Sequence, residues 1–106
     1  MRILGLSELG RRAQRVVKDD ESCADLLGVE CGEEFKVYLW AVPPGEPAWA
    51  GHYLMTSKIT PVDNSHANFR LSHLTVGGQW HELDAEGSFE FCVRQILENR
   101  YHLFFG

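Results

Sequence analysis

Trp80-His81-Glu82-Leu83-Asp84-Ala85-Glu86-Gly87-Ser88-Phe89-Glu90-Phe91 reads as two alternating segments joined by a tight turn at Asp84 to Gly87. After that turn Phe89-Glu90-Phe91 alternates apolar and polar with the period of two that a half-buried strand requires. Phe89 and Phe91 share a face if the segment is a strand and diverge if it is a helix. The reading of these twelve residues therefore sets the fold of the last third of the chain.

Immediately upstream, Phe69 to Val76 and Gln79 to Asp84 flank Gly77-Gly78. Two glycines between β segments predict a two-residue hairpin, because both central positions of a type I′ turn need positive φ. In that register Thr75 opposes Trp80, Leu74 opposes His81 and His73 opposes Glu82. His73, Glu82 and Asp84 then share a face, and one His with two carboxylates is a reasonable set for a first-row metal ion. His52 or His66 would supply a further ligand from elsewhere. A cross-strand His–carboxylate pair on a solvated sheet explains the same residues without a metal.

Further back, Phe35, Val37, Leu39 and Ala41 alternate with Lys36, Tyr38, Trp40 and Val42, which predicts a central strand with apolar residues on both faces. Pro43-Pro44-Gly45-Glu46-Pro47 ends it, since proline cannot donate to a ladder. Another strand is expected from Trp49 to Ile59 and a surface loop from Val62 to Asn68. Trp49, beside the stiff proline loop, is the aromatic residue most expected to be exposed.

Before residue 34 the period is near four. Leu9, Ala13, Val16 and Val17 fall on one stripe of a helix over residues 7–18, with Ser7 as its N-cap and Arg11, Arg15 and Lys18 in an outer basic row. Gly10 weakens its first turn by about 1 kcal/mol relative to alanine. A second short helix is expected from Ser22 to Leu27, ending at Gly28. Residues 19–34 hold seven acids and no base but lack the D-x-D-x-D-G spacing of a calcium loop.

The C-terminal third fits two patterns. A helix from Phe89 to Phe104, capped by Ser88, gathers Phe89, Cys92, Val93, Ile96, Leu97, Leu103 and Phe104 in one apolar arc but leaves Phe91 on the polar side. Strands instead alternate through Phe89, Phe91 and Val93, and again through Tyr101, Leu103 and Phe105. Asp84-x-x-Gly87, Phe89-x-Phe91 and then Tyr101-x-Leu103 resemble the pattern of carboxypeptidase-regulatory-like and transthyretin-like β-sandwiches over residues 84–105. Glu98-Asn99-Arg100 stands where that pattern has a Pro-Gly turn. The resemblance implies the strand reading, a sandwich architecture and an accessory or adhesive role, and it carries over no catalytic residue.

At 106 residues one domain is expected, with a helical segment over 1–30 and an antiparallel β region over 34–106. The fold class is mainly β (α+β): a sandwich or barrel of five to seven antiparallel strands preceded by one or two short helices. Twelve Phe, Trp and Tyr residues are ample for one core. Net charge is −5 and unevenly placed. Residues 1–18 carry five bases against Glu8, or +4, while residues 19–106 carry five bases and fourteen acids, or −9. The acidic balance excludes nucleic acid as the expected partner, because phosphate binding needs a basic surface.

No run of eighteen apolar residues predicts a membrane span, and the N-terminus lacks the apolar run of a signal peptide, so a cytoplasmic location is expected. Cys23, Cys31 and Cys92 are odd in number, lack zinc-ligand spacing and suit a reducing compartment. No nucleophile elbow, H-E-x-x-H or phosphate-cradling glycine loop occurs, and no cofactor is expected. These features together describe a non-catalytic protein-interaction module. Its contact surface would be the basic helix (Arg11, Arg12, Arg15) or the 43–49 loop with Trp49. A small acidic inhibitor or mobile-element protein that blocks a larger machine fits the same size and charge. A metal enzyme built on His73, Glu82 and Asp84 is the third reading.

Overall fold

A computed structural model describes residues 1–5, 7–18, 26–65, 67–75 and 77–98, with residues 83–85 described by their backbone alone. In chain order the elements are β1 (Arg2–Leu4), α1 (Glu8–Val17), β2 (Leu26–Cys31), β3 (Glu34–Ala41), a single 3-10 turn (Ala48–Ala50), β4 (His52–Pro61), β5 (Phe69–Leu74), β6 (Trp80–Gly87) and α2 (Phe89–Glu98). The chain is mainly β. Its described strands form one sheet in sequence order from β1 to β6.

The sheet is open, and the layer packed on it is a pair of helices, so these strands form neither a closed barrel nor a sheet-on-sheet sandwich. One pairing is not antiparallel. β1 runs parallel to β2, with Arg2 opposite Leu27 and Leu4 opposite Val29. A parallel pair needs a crossover connection, and α1 lies within it.

The α1 stripe packs as its spacing predicts. Leu9, Ala13 and Val17 are buried and Val16 packs against the same cluster. Across the interface the helices meet Phe35 and Val37 from β3, Ile59 from β4, and Phe69 and Leu71 from β5. Phe35 opposes Ile59 and Ile59 opposes Leu71, so these residues form one cross-strand row on the helix-facing side. α2 adds Phe89, Cys92, Val93 and Ile96. Phe89 stands edge-on to both Phe35 and Phe69, with ring centres 5.3 and 5.4 Å away, an arrangement aromatic quadrupoles favour.

Three expectations are corrected. Leu26 and Leu27 belong to a strand rather than to the end of a second helix, although both are buried as expected. Gly28 accordingly lies inside β2, under the Phe35 ring, and not at a helix terminus. The remainder of that expected helix, residues 22–25 with Cys23, lies outside the described residues. Second, Asp84-Ala85-Glu86-Gly87 makes no turn, because β6 runs through to Gly87.

The third correction follows at once. Ser88 accepts a hydrogen bond from the Phe91 N–H at 3.1 Å and caps a helix. Phe89 enters the core and Phe91 remains partly exposed. The strand reading of residues 89–93 fails, so Phe89 and Phe91 give the sandwich resemblance no support here. Its Tyr101-x-Leu103 part, and the strand expected there, lie outside the described residues.

Candidate functional site

The basic helix is built on an unforeseen anchor. Ser7 occupies the N-cap position of α1 but makes no side-chain bond to the helix backbone. Its hydroxyl instead donates to Glu30 on β2, and Glu30 Oε1 accepts the Gly10 N–H at 2.9 Å. A carboxylate from another element thus satisfies a helix-terminal donor and complements the positive end of the dipole. Nothing in the spacing of Glu30 within the acidic run signals this contact.

Of the three arginines, Arg12 is engaged within the fold. Its Nε and Nη2 donate to Glu90 Oε1 and Oε2 at 2.7 and 2.9 Å. Its guanidinium also lies over Phe69 and Phe89, 5.4 and 5.2 Å from the ring centres. The hydrogen bond to Glu90 raises the Arg12 pKa, and its counterpart holds the Glu90 carboxyl below the usual carboxylate range. This forked pair ties α1 to α2. Arg11 and Arg15 are exposed, and with Ser7, Glu8 and the rim of Arg12 they border a shallow open depression.

The second expected surface lies at the end of the β3–β4 hairpin. The β2–β3 pairing ends at Leu26 opposite Leu39, and the β4–β5 pairing ends at Ser57 opposite His73. β3 and β4 continue beyond both, to Trp40 opposite Tyr53 and Ala41 opposite His52. Among the described residues this last part of the hairpin has no flanking strand. The proline loop is folded on itself, with the Glu46 N–H donating to the Pro43 carbonyl at 3.1 Å, and the 3-10 turn presents Trp49. Trp49 is 84% exposed. Val42, Tyr53 and Leu54 are also exposed toward this end of the hairpin, and Tyr53 meets the Trp40 ring edge-on at 5.0 Å.

The His73, Glu82 and Asp84 grouping is not assembled as expected. Thr75 and Gln79 close the β5–β6 hairpin: the Thr75 N–H donates to the Gln79 carbonyl at 2.8 Å and the Gln79 N–H to Thr75 Oγ1 at 3.0 Å. Three residues therefore separate the paired positions, with the positive φ at Gly78 alone (81°) and not at both glycines. This is the longer hairpin loop that ends in a left-handed residue. The extra residue slips the register by one, so His73 opposes His81 and Ser72 opposes Glu82.

A slip of one residue reverses the face of every partner. Glu82 joins Glu86 around Arg70, at 3.4 Å from Arg70 Nη1, and the hydrogen bond that Arg70 donates to Glu86 is the main reason the Arg70 pKa is raised. His73 and His81 instead stand ring to ring, 5.2 Å between centres. Burial, reinforced by the neighbouring His81, lowers the His73 pKa. Asp84's side chain and His66 lie outside the described residues, and His52 is exposed at the hairpin end. Among the described residues no cluster of three or more His, Cys, Asp or Glu side chains is placed to hold a metal ion.

Two cysteines are described. Cys31 is exposed, whereas Cys92 is fully buried, its thiol facing the Phe69 carbonyl at 3.7 Å. Burial pushes the Cys92 thiol up to about 12, so it behaves as a small core hydrophobe. No described helix is long and apolar enough to cross a membrane. Compared with known proteins, the chain matches no family model, no curated protein and no solved structure.

Proposed function

We propose that this chain is a non-catalytic protein-interaction module that docks a partner through the end of its β3–β4 hairpin. The observation that carries this reading is Trp49, which is 84% exposed on a hairpin end bearing exposed Val42, Tyr53 and Leu54. Tryptophan is rarely so open to water in a folded domain. Covering a side chain of this size contributes at least the roughly 1.5–3 kcal/mol that burial of a smaller apolar residue does. Three prolines in five residues stiffen the loop before Trp49, which limits the entropy lost when a partner orders it.

The exposed Arg11 and Arg15 are the competing contact surface. The two are separable by substitution, because none of these side chains belongs to the core. Partner capture from the source cells is compared for the unaltered chain, Trp49→Ser, and the double variant Arg11→Glu with Arg15→Glu. A partner lost from Trp49→Ser and retained by the double variant, at unchanged melting temperature, supports the hairpin. The reverse pattern transfers the contact to α1. No captured protein, or one retained by all three, removes both surfaces.

A further inference from the structure

We propose that His73 and His81 form a two-imidazole chelating site for a borderline divalent metal ion: zinc, nickel or copper(II). The site stands on strand register. His73 on β5 is directly opposite His81 on β6, and Ser57 on β4 is directly opposite His73. Ser57 is fully buried, which places this row on the helix-facing side of the sheet, while His81 at its end is open to solvent. The two rings are 5.2 Å apart between centres and inclined at 71°.

That separation fits a shared ion. Two imidazole nitrogens held about 2.0–2.1 Å from a tetrahedral zinc place their ring centres roughly 5 Å apart. The ring-centre separation therefore meets that requirement with the strands as placed, once the His73 ring exchanges its hydrogen bond to the His81 backbone for the ion. The ladder on both sides of the pair fixes the backbone spacing in advance, from Ser72 opposite Glu82 to Leu74 opposite Trp80. Imidazole is also a ligand suited to all three metals. It binds only when neutral.

The site differs from the one suggested by the sequence. Glu82 neighbours His81 on β6, so it points to the opposite face, where Arg70 engages it. Among the described residues no third His, Cys, Asp or Glu completes a ligand set. Two protein donors leave the other coordination positions to water on the exposed His81 side, so the ion is exchangeable rather than structural.

The test uses the full chain, titrated separately with zinc chloride and nickel chloride and followed by calorimetry and thermal melting. One ion is expected per chain, with a rise in melting temperature because the ion binds the folded state. In NMR spectra the ring resonances of His73 and His81 should respond together, at lower nickel concentration than those of His52. His81→Ala removes an exposed ligand, and affinity should fall at least the roughly tenfold that losing an outer-shell partner costs. His52→Ala should bind as the unaltered chain does. If His81→Ala unfolds, His81→Gln and the NMR response of the unaltered chain decide instead. Absence of binding, unchanged affinity in the His81 variant, or metal response confined to other histidines overturns the site.

Discussion

At Gly10, two rules of helix stability point in opposite directions. Helix propensity favours Gly10→Ala by about 1 kcal/mol, because alanine loses less backbone entropy. The packing forbids it. A Cβ at residue 10 would lie 2.0 Å from the Gly5 carbonyl oxygen and 3.2 Å from Glu30 Oε1. The first of these is backbone, so it yields only by moving the β1–α1 connection. Forcing extra atoms into a packed site costs about 1–3 kcal/mol, which outweighs the propensity gain. Gly10→Ala is therefore expected to destabilise the fold by up to about 2 kcal/mol in urea unfolding. A stabilised variant would mean that α1 does not approach Gly5 this closely. The sequence displays a glycine in a first helical turn, which reads as a weakness. Its reason is a contact with another segment, and no local pattern encodes that.

At the scale of elements, legibility follows the length and uniqueness of the periodic signal. The α1 stripe and the alternation in β3 were readable because each had a single period over eight or more residues. The segment after Gly87 offered two periods at once. Phe89-Glu90-Phe91 alternates like a strand, while Phe89, Cys92, Val93 and Ile96 repeat like a helix, and both patterns begin after the same Gly-Ser pair. What separates them is tertiary. Glu90 must face Arg12, and Phe89 must stand between Phe35 and Phe69, which a helix start at Ser88 achieves. The His pair was missed for a related reason: a hairpin loop one residue longer than Gly-Gly suggests exchanges Glu82 for His81 opposite His73.

The α1–α2 junction can be tested by keeping its charge and removing its shape. Arg12→Lys retains the cation but loses the planar fork and the stacking over Phe69 and Phe89. Both Arg12 and Glu90 retain solvent contact, so screening reduces the electrostatic part. A loss of about 1 kcal/mol is expected in urea unfolding, chiefly from the ring contacts and the second hydrogen bond. A variant as stable as the unaltered chain would show that a point charge suffices to join the helices.

For the molecule as a whole, two groups make stability depend on pH with the same sign. His73 has its folded pKa lowered from 6.5, by burial first and then by His81. The unfolded chain therefore takes up that proton at a higher pH than the folded chain, and stability falls as pH drops below 6.5. Glu90 has its folded pKa lowered from 4.5, by the hydrogen bond from Arg12 first. Its contribution is present above 4.5 and is lost as pH falls further. Acid should weaken the fold in two successive stages. Urea midpoints measured in metal-free buffer from about pH 8 to about pH 3 should decline first through the histidine range and again through the carboxylate range. His81→Ala removes the repelling neighbour and should shrink the first decline, while Arg12→Lys should shrink the second. A midpoint that rises on acidification through the histidine range would require His73 to gain a favourable charged contact on protonation, contrary to its placement beside another imidazole.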